Sequence, residues 1–478
     1  MMPAPSRTSA EPAVLEIAQP PTPAEAFERL LDQREPFFLD GGRDWEGQGR
    51  YSFLGCNPFA TLRSKNGALR LSGEEGEEAW EGNPFDAVRR LTQQYRLPRV
   101  GAAAPFCGGL VGYLSYDLCH HVERLPRTAE DDLHFPDLAL GLYDAVAAWD
   151  NQTGAACVCA PHLPGRPPAQ ERAETLRALL CTAQEPMAEP AGEYGSGIAS
   201  NFTHEDYVAA VARAIEYIAA GDIFQVNLSQ RLSADLHVHP WELYRRARRI
   251  NPAPFAAYLG FGDGIVASAS PERFLQVQDR SVETRPIKGT RPRGATPEED
   301  ERLAQELLNS GKDRAELVMI VDLERNDLGR VCSYGTVRVP ELLRLESYAT
   351  VHHLVSTVVG RLHEGREVAD LLRATFPGGS ITGAPKVRSM EIIDELEPTQ
   401  RAVYTGSIGW IGFDGDLDLN IVIRTFLIKD GRVHWQVGGG IVADSDPEAE
   451  YQETLAKGVA LRRAVAGTDP SDTRAPRD

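Results

Sequence analysis

Short runs in which apolar and polar residues alternate dominate the first third of the chain. Between Leu30 and Trp149 they predict strands at Phe37-Phe38-Leu39, from Arg50 to Gly55 and from Gly108 to Asp117, each bounded by turn-forming residues. Residues 21–160 thus read as a strand-rich N-terminal region. Residues 1–20 are expected to form a disordered tail, and 161–200 a connector rich in proline and glycine around one short helix, Gln170 to Cys181.

Beyond residue 200 the period lengthens. Thr203 and Asp206 form a capping signal, Val208, Val211, Ala212 and Ile215 make the apolar stripe of a helix, and Gly221 ends it. In the strand that follows, Phe224, Val226 and Leu228 are expected on one face and Gln225, Asn227 and Ser229 on the other. Thr296-Pro297-Glu298-Glu299 opens a second helix closed by Gly311, and Lys312 to Leu328 forms a third, on which Asp313, Glu316 and Ile320 share a face. Asp414-Gly415 and Asp430-Gly431 are hairpin signals that bracket strands over 416–429 and 432–437, with Gly438-Gly439-Gly440 as a turn. A last helix begins at Asp446-Pro447 and sets Glu450, Glu453 and Lys457 on one side, with Tyr451, Leu455 and Val459 on its packing side. Residues 201–465 make up this second region and 466–478 a second tail. Strands in both halves with irregularly interspersed helices predict an α+β fold with antiparallel or mixed sheets.

Charge narrows the function. The 478 residues carry a formal net charge of -19, which argues against a nucleic-acid surface, since phosphate binding needs a basic stripe. No apolar run is long enough to span a bilayer and no signal core precedes the first region, so a cytoplasmic protein is expected. The seven cysteines include a C-x-C pair at Cys157 and Cys159 but no C-x-x-C, which points to reduced, mostly buried thiols.

Several residues stand where chemistry could use them. Lys288 lies between an extended segment set by Pro286 and a turn allowed by Gly289, an expected hinge that presents its ammonium; a surface lysine in a polar loop is the competing reading. Glu272 follows a similar break at Ser270-Pro271, so an acid and an amine could meet across neighbouring strands. The pairs Asp313/Glu316 and Glu450/Glu453 could converge on a hard cation such as Mg²⁺, or be two solvated acidic faces. Arg424 reads as mid-strand beside Val422 and Phe426, a costly place for a guanidinium without an anionic partner. The segment Pro377 to Lys386 departs from a phosphate loop because Ala384-Pro385 replaces the lysine and serine, leaving a substrate-facing glycine loop. Gly438 to Gly440 could offer amides to an anion. His352-His353 closes a strand-like stretch, and no G-x-S-x-G elbow supports a serine hydrolase.

From Asn201 to Ala464 the motifs together resemble the chorismate-utilising enzymes: Phe224-Gln-Val-Asn-Leu-Ser-Gln230, Ser270-Pro-Glu272, Lys312-Asp-Arg-Ala-Glu316, Val321 to Asp327, His352-His353, Pro377 to Lys386, Val437 to Ile441 and Glu450 to Thr454. The resemblance implies an anthranilate synthase-like fold, two large and mostly antiparallel sheets packed as a sandwich with helices outside. It implies magnesium on Glu316 and Glu453 supported by Asp313 and Glu450, and substrate carboxylates held by Thr290, Tyr404, Arg424, Gly438, Gly439 and Lys457, with His353 as the active-site histidine. The N-terminal region, with Gly108-Gly109 through Tyr116-Asp117, is similar to that of the anthranilate and aminodeoxychorismate branches.

The anthranilate branch carries alanine in P-I-A-G-T; Pro286-Ile-Lys-Gly-Thr290 resembles the aminodeoxychorismate branch, component I. That resemblance implies an amino-transferring, magnesium-dependent synthase that converts chorismate and ammonia to 4-amino-4-deoxychorismate, on the route to 4-aminobenzoate and folate. Lys288 would attack C2 while Glu272 protonates the departing C4 hydroxyl, and ammonia would then add at C4. Ammonia would come from a separate glutamine amidotransferase subunit. Relatives also hold tryptophan near an L-L-E-S motif; the corresponding stretch here is Leu39-Asp40-Gly41, without the serine, while Arg50-Tyr51-Ser52 and Asn251-Pro252 are retained. Anthranilate synthase component I and a non-catalytic chorismate-binding protein are the alternatives.

Overall fold

The computed structural model describes residues 11–42, 48–74, 76–99, 104–183, 187, 190, 192–348 and 351–467. Two sheets organise them, each of twelve strands among the described residues, and every pairing of strands within them is antiparallel. The first sheet runs in the order Ala13–Glu16, Ala156–Ala160, Val146–Asp150, Tyr51–Gly55, Phe37–Asp40, Phe255–Phe261, Gly264–Ser270, Thr425–Lys429, Arg432–Ile441, Gln225–Leu236, Gly195–Ser200, with the short Gly383–Ala384 also on Gln225–Leu236. The second runs Ile287–Pro292, Val351–Arg361, Ser281–Thr284, Arg273–Gln278, Leu417–Asn420, Ser407–Gly412, Gly109–Leu114, Leu138–Tyr143, Ala60–Lys65, Ala68–Gly73, Gly76–Glu81, with Arg338–Ser347 also on Val351–Arg361. The α+β sandwich expected from the sequence is the fold.

Alternation explains the layers, because successive side chains on a strand point to opposite faces. Phe37, Phe53, Ala148 and Leu259 of the first sheet pack inward against Val111, Tyr113, Tyr143 and Trp410 of the second. Their neighbours Phe38, Leu54, Trp149 and Tyr258 point outward into a second core under the helices Pro23–Glu28, Ala169–Leu180, Pro240–Ile250 and Pro447–Ala466. A third core covers the far face of the second sheet, where Leu110, Leu114 and Leu138 meet Phe85, Val88, Leu317 and Leu372. No described helix is long and apolar enough to cross a membrane.

Several local expectations need correction. Ala13–Glu16 falls within the expected N-terminal tail yet pairs with Ala156–Ala160, because Val14 and Leu15 supply an edge; residues 1–10 and 468–478 lie outside the described residues. The connector ends in a strand, Gly195–Ser200. Phe224 does not share the inner face of Val226 and Leu228 but precedes the strand and is exposed. The helix His204–Ala219 buries Tyr207, Ala210, Val211 and Ala214, so its stripe is turned by about one residue from the expected one. Gly311 does not close a helix; Ser310 caps the next one, Gly311–Gly329, by accepting from the Asp313 amide. His352 and His353 open a strand, Val351–Arg361, instead of closing one.

Three corrections concern the site directly. The stretch 416–429 is not one strand but two, Leu417–Asn420 in the second sheet and Thr425–Lys429 in the first. Gly438 to Gly440 is not a turn; it lies inside Arg432–Ile441, paired with Ser229, Leu228 and Asn227. The last helix packs only partly as expected: Tyr451 lies half-buried against Tyr207 at 5.8 Å, Val459 is exposed, and the fully buried face is Glu450, Thr454, Gly458, Leu461 and Val465, where small residues let it lie close over the glycine strand.

The outer core predicts a measurable cost. Trp241 is fully buried, its ring 4.9 Å from Phe27 and 5.3 Å from Tyr258, and its indole N–H donates to Glu28 Oε1 at 3.1 Å. Trp241→Ala should lower unfolding stability by about 3–5 kcal/mol, chiefly from the cavity, since Glu28 keeps Arg245 at 3.3 Å. A urea midpoint unchanged from that of the parent chain would contradict this packing.

Candidate active site

Two adjacent strands change sheets at the same level. Gly264–Ser270 leaves the first sheet and continues as Arg273–Gln278 in the second, passing through Pro271 and Glu272. Beside it the chain crosses between Leu417–Asn420 and Thr425–Lys429, through Ile421 to Arg424. The crossings are tied together: Ser270 Oγ donates to the Ile421 carbonyl at 2.5 Å, the Ile421 amide to the Glu272 carbonyl at 3.0 Å, and the Ala269 amide to the Arg424 carbonyl at 3.0 Å. Arg424 therefore does not sit mid-strand. It takes a left-handed backbone with φ of 52°, uncommon outside glycine, as the chain turns out of one sheet into the other.

The lysine strand faces these crossings. Lys288 lies not on a hinge but in Ile287–Pro292, opposite Leu354, and the register slips between Lys288 and Thr290. Gly289 makes that bulge, at φ of 79°, and brings the Asp313 helix close: a Cβ there would stand 2.9 Å from Asp313 Cβ. Thr290 is opposite His353, and its hydroxyl is 2.8 Å from His353 Nδ1.

Electrostatics separates the roles of these groups. Burial pushes the Glu272 carboxyl above its ordinary range, against the pull of Ser380, Lys288, the Ile287 backbone and Arg424, and Glu272 Oε1 has no protein hydrogen-bond partner. Burial lowers Lys288, with Lys457 adding to it and Glu316, Glu272 and Glu453 opposing it. Arg424 is lowered by burial too; among the described residues no carboxylate is within ion-pair distance of it, and its guanidinium donates to Asn251 Oδ1 at 3.2 Å. His353 falls to about 3, chiefly through burial and next through Arg424, so its ring is neutral at any ordinary pH.

The acidic helices approach from the other side. Burial raises Glu316, reinforced by Asp313 and Glu453 and opposed by Lys288 and Lys312. Burial also pushes Glu453 upward, but Lys457 at 2.7 Å, with Lys312 and Lys288, overrides it and the net shift is downward. Glu450 accepts from Ser445 Oγ at 2.6 Å with Lys312 3.7 Å away, and Asp313 is 3.3 Å from Arg291. Lys457 also donates to the Gly438 carbonyl at 3.1 Å. The donor set, oxygen-only and drawn from two helices, suits a hard cation in kind. In arrangement it is looser: among the described residues no three acidic, histidine or cysteine side chains stand where they could hold an ion, and lysines occupy Glu453 and neighbour Glu450.

The space in front of these groups is kept by glycine. A Cβ on Gly439 would sit 3.2 Å from Glu450 Oε2, 3.6 Å from Glu453 Oε1 and 3.7 Å from Lys457 Nζ. Tyr404, nearly buried, stands on the Arg401–Thr405 turn, whose Thr405 amide bonds to the Val422 carbonyl at 2.7 Å, so it is held to the Arg424 crossing. Sequence reasoning passed over four contributors: Ser380 beside Glu272, Asn251 on Arg424, Lys312, and Gln225, which is fully buried with both amide atoms unpartnered next to Gly440. All four lie in quoted motifs, but nothing in their local pattern marks what they touch. Lys386 turns away, donating to Asp327 and to the Thr375 and Pro377 carbonyls.

A second cavity, of about 250 Å³, opens between the sheets and is lined by Leu39, Asp40, Gly41, Tyr51, Phe255 and Trp410 among others. Asp40 is already satisfied there, by Arg248 at 2.7 Å, the Tyr244 hydroxyl at 3.0 Å and the Gly42 amide at 2.9 Å.

The chain matches the family described as chorismate binding enzyme over residues 35–463. It belongs to that family. It is 44% identical over 454 residues to anthranilate synthase component 1 of Thermus thermophilus, covering 94% of this chain and 96% of the relative. It is 42% identical over 452 residues to aminodeoxychorismate synthase component 1 of Bacillus subtilis, covering 92% and 94%. The crystal structure of anthranilate synthase component I from Streptococcus pneumoniae superposes with a TM-score of 0.78 at 33% identity, covering 86% of this chain and 92% of that one. The chorismate-binding family is thus shown, while relatives with two different products stand at similar distance.

Two outcomes follow for this site. Gly439→Ala should weaken chorismate binding about tenfold or more with the fold intact, since the added methyl enters the space between the acidic helix and Lys457; equal affinity by calorimetry would rule out this space as the binding site. His353 titrates near 6.5 when unfolded and about 3 when folded, so the unfolded chain binds the extra proton between those values. Stability contributed by the neutral ring is complete above pH 6.5 and falls on acidification, by up to about 1.4 kcal/mol per unit. His353→Asn should flatten that slope; parallel urea midpoints for both chains from pH 6 to 4 would refute it.

Proposed function

We propose that this chain is the synthase component of an aminodeoxychorismate synthase, which makes 4-amino-4-deoxychorismate from chorismate and ammonia in the cytosol, for 4-aminobenzoate and folate. One observation carries the reading: Lys288, where the anthranilate branch has alanine, lies within electrostatic range of Glu272, Glu316 and Glu453, and burial destabilises its ammonium. An amine must lose its proton to act as a nucleophile, and a carboxyl must keep its proton to act as an acid. The downward shift of Lys288 and the upward shift of Glu272 both enlarge the fraction of protein in which the two conditions hold together.

In this mechanism Arg424, Tyr404 and the Gly438–Gly439 strand hold the substrate carboxylates and fix the ring. Lys288 Nζ bonds to C2 as Glu272 gives its proton to the C4 hydroxyl, which leaves as water while both ring double bonds shift, from C1=C2 and C5=C6 to C1=C6 and C4=C5. Ammonia then bonds to C4, both double bonds return, the C2–Nζ bond breaks to release Lys288 as the free amine, and the new C4 ammonium returns a proton to Glu272. Neutral His353, held by Thr290, shapes the wall and exchanges no proton at working pH. Glu316 and Glu453 would hold magnesium, with Asp313 and Glu450 behind them; when bound, the ion supplies positive charge to a substrate carboxylate. Ammonia would come from a separate glutaminase subunit, consistent with the component 1 names of the relatives. A tryptophan would occupy the inter-sheet cavity, where Asp40 would have to exchange Arg248 or Tyr244 for the ligand's ammonium.

Intact-protein mass after incubation with chorismate and Mg²⁺ but no ammonia should show an adduct that maps to Lys288 and that ammonium salts discharge. Lys288→Ala should lose the adduct and slow aminodeoxychorismate formation by about 10²- to 10⁴-fold. Lys288→Arg should not restore it, since guanidinium stays protonated. Anthranilate as the main product of the unaltered chain, or Lys288→Ala at the parental rate, would overturn the reading in favour of the anthranilate branch. Glu316→Gln and Glu453→Gln should each abolish magnesium-dependent turnover; full activity at low Mg²⁺ would remove that assignment.

A further inference from the structure

Three of the seven cysteines, the neighbours Cys157 and Cys159 and the sequence-distant Cys107, meet in space. Cys157 and Cys159 stand on one face of Ala156–Ala160, their sulfurs 3.7 Å apart, and the Cys107 thiol bears on Cys159 from the chain that leads into Gly109–Leu114 of the opposite sheet. Cys107 also donates to the Ala104 carbonyl at 3.6 Å. Cys159 is buried in the inter-sheet core, while Cys107 and Cys157 are only partly covered, so reagents reach the two outer thiols and not the middle one. Nothing in the chorismate site touches this cluster.

We propose that Cys107, Cys157 and Cys159 form an oxidation site, in which a peroxide attacks at Cys157 and the final product is a Cys107–Cys159 disulfide that joins the two sheets. Cys157 is the entry point because it is accessible and because the adjacent Cys159 S–H stabilises its thiolate, lowering it, whereas neighbouring thiols and burial raise Cys159. The Cys157 thiolate takes the outer oxygen of hydrogen peroxide, which with one proton leaves water and a sulfenic acid. Cys159 then attacks that sulfur, its proton departing with the hydroxyl as a second water, and a Cys157–Cys159 bond forms. Two residues apart on a strand, their Cα atoms are separated by roughly 6.6 Å, near the upper limit for a disulfide, so this bond is strained and exchanges readily. The Cys107 thiolate attacks Cys159, forms the Cys107–Cys159 bond and releases Cys157 as thiolate. Overall, two thiols lose two electrons and one peroxide becomes two waters.

Closing that bond reaches the cavity between the sheets. Phe106 follows Pro105, which lines it, and stacks on Trp410 at 4.7 Å and 21°; Trp410 and Phe53 are part of the same wall. Fixing Cys107 to the first sheet would hold this wall in place.

The test is peroxide titration of the full chain, with alkylation and peptide mapping. The unaltered protein should lose the mass of two hydrogen atoms and map to Cys107–Cys159, with a change in Trp fluorescence that Trp410→Phe removes. Cys107→Ser should stop at a Cys157–Cys159 bond reduced by dithiothreitol at least tenfold faster, and Cys159→Ser should form neither bond. Cys157 appearing only as sulfinic acid while Cys107 and Cys159 stay reduced would overturn the proposal. So would oxidation confined to the exposed Cys181, or a Cys157–Cys159 bond as the end product of the unaltered chain.

Discussion

The site depends on two neighbouring strands that leave one sheet and enter the other side by side. A crossing strand must break its ladder, and broken ladders leave amides and carbonyls to be satisfied elsewhere. Here each crossing satisfies the other through the bonds from Ser270, Ile421 and Ala269, so the pair bends as a unit. Glu272 and Arg424 are the residues at the two bends, which is why an acid and a guanidinium come to share a space inside a sandwich otherwise filled with Phe, Leu and Val. The left-handed backbone at Arg424 is part of the same constraint: it stores strain that the paired crossing holds in place.

Burying these charges costs stability, and the arrangement shows how the cost is contained. Three of the acidic groups have an opposite neighbour at short or moderate range: Glu453 has Lys457, Glu450 has Lys312, Asp313 has Arg291. Glu272, Lys288 and Arg424 are the under-paired ones. Glu272 keeps an oxygen with no protein partner, Lys288 is lowered by burial despite three nearby carboxylates, and Arg424 has only a neutral amide. Burial also raises Glu324 and Asp117, each to about 7, outside these three groups, so a raised carboxyl is not by itself a mark of a site.

Local signals were legible wherever a short segment decides its own conformation. The caps at Thr203, Thr296 and Asp446 and the hairpin at Asp430-Gly431 are found where the sequence puts them, because capping and turn geometry involve only a few consecutive residues. The fold brings the residues of the motifs, Glu272, Lys288, Glu316, Arg424 and Glu453 among them, into one electrostatically linked region. What was not legible was the partner of each strand. Residues 416–429 read as one uninterrupted strand, and only the second sheet, competing for Leu417–Asn420, breaks it. Three successive glycines read as a turn, yet they extend as a strand because Ser229 and Gln225 on one side and the acidic helix on the other leave no room for side chains. The last helix misled for a related reason: its apolar residues are spread around it, and its inward face is chosen by what it covers.

If a divalent ion binds beside Glu316 and Glu453 as proposed, charge balance would link it to the substrate. Around Gly439 the carboxylates and lysines already pair, so the space before them is close to neutral without a ligand. A substrate with two carboxylates would bring two negative charges into a half-exposed place, where Glu453 and Lys457 keep nearly half of their side-chain surface open to water. Arg424 can meet one of them, being the under-paired cation, but Lys457 is already committed to Glu453 and to the Gly438 carbonyl. A divalent ion on the Glu316 and Glu453 side would supply the missing positive charge and free Lys457 for the substrate. Ion and substrate should then each tighten the binding of the other, with neither filling the site well alone, and Lys457 is the residue whose partner must change between the empty and the filled state.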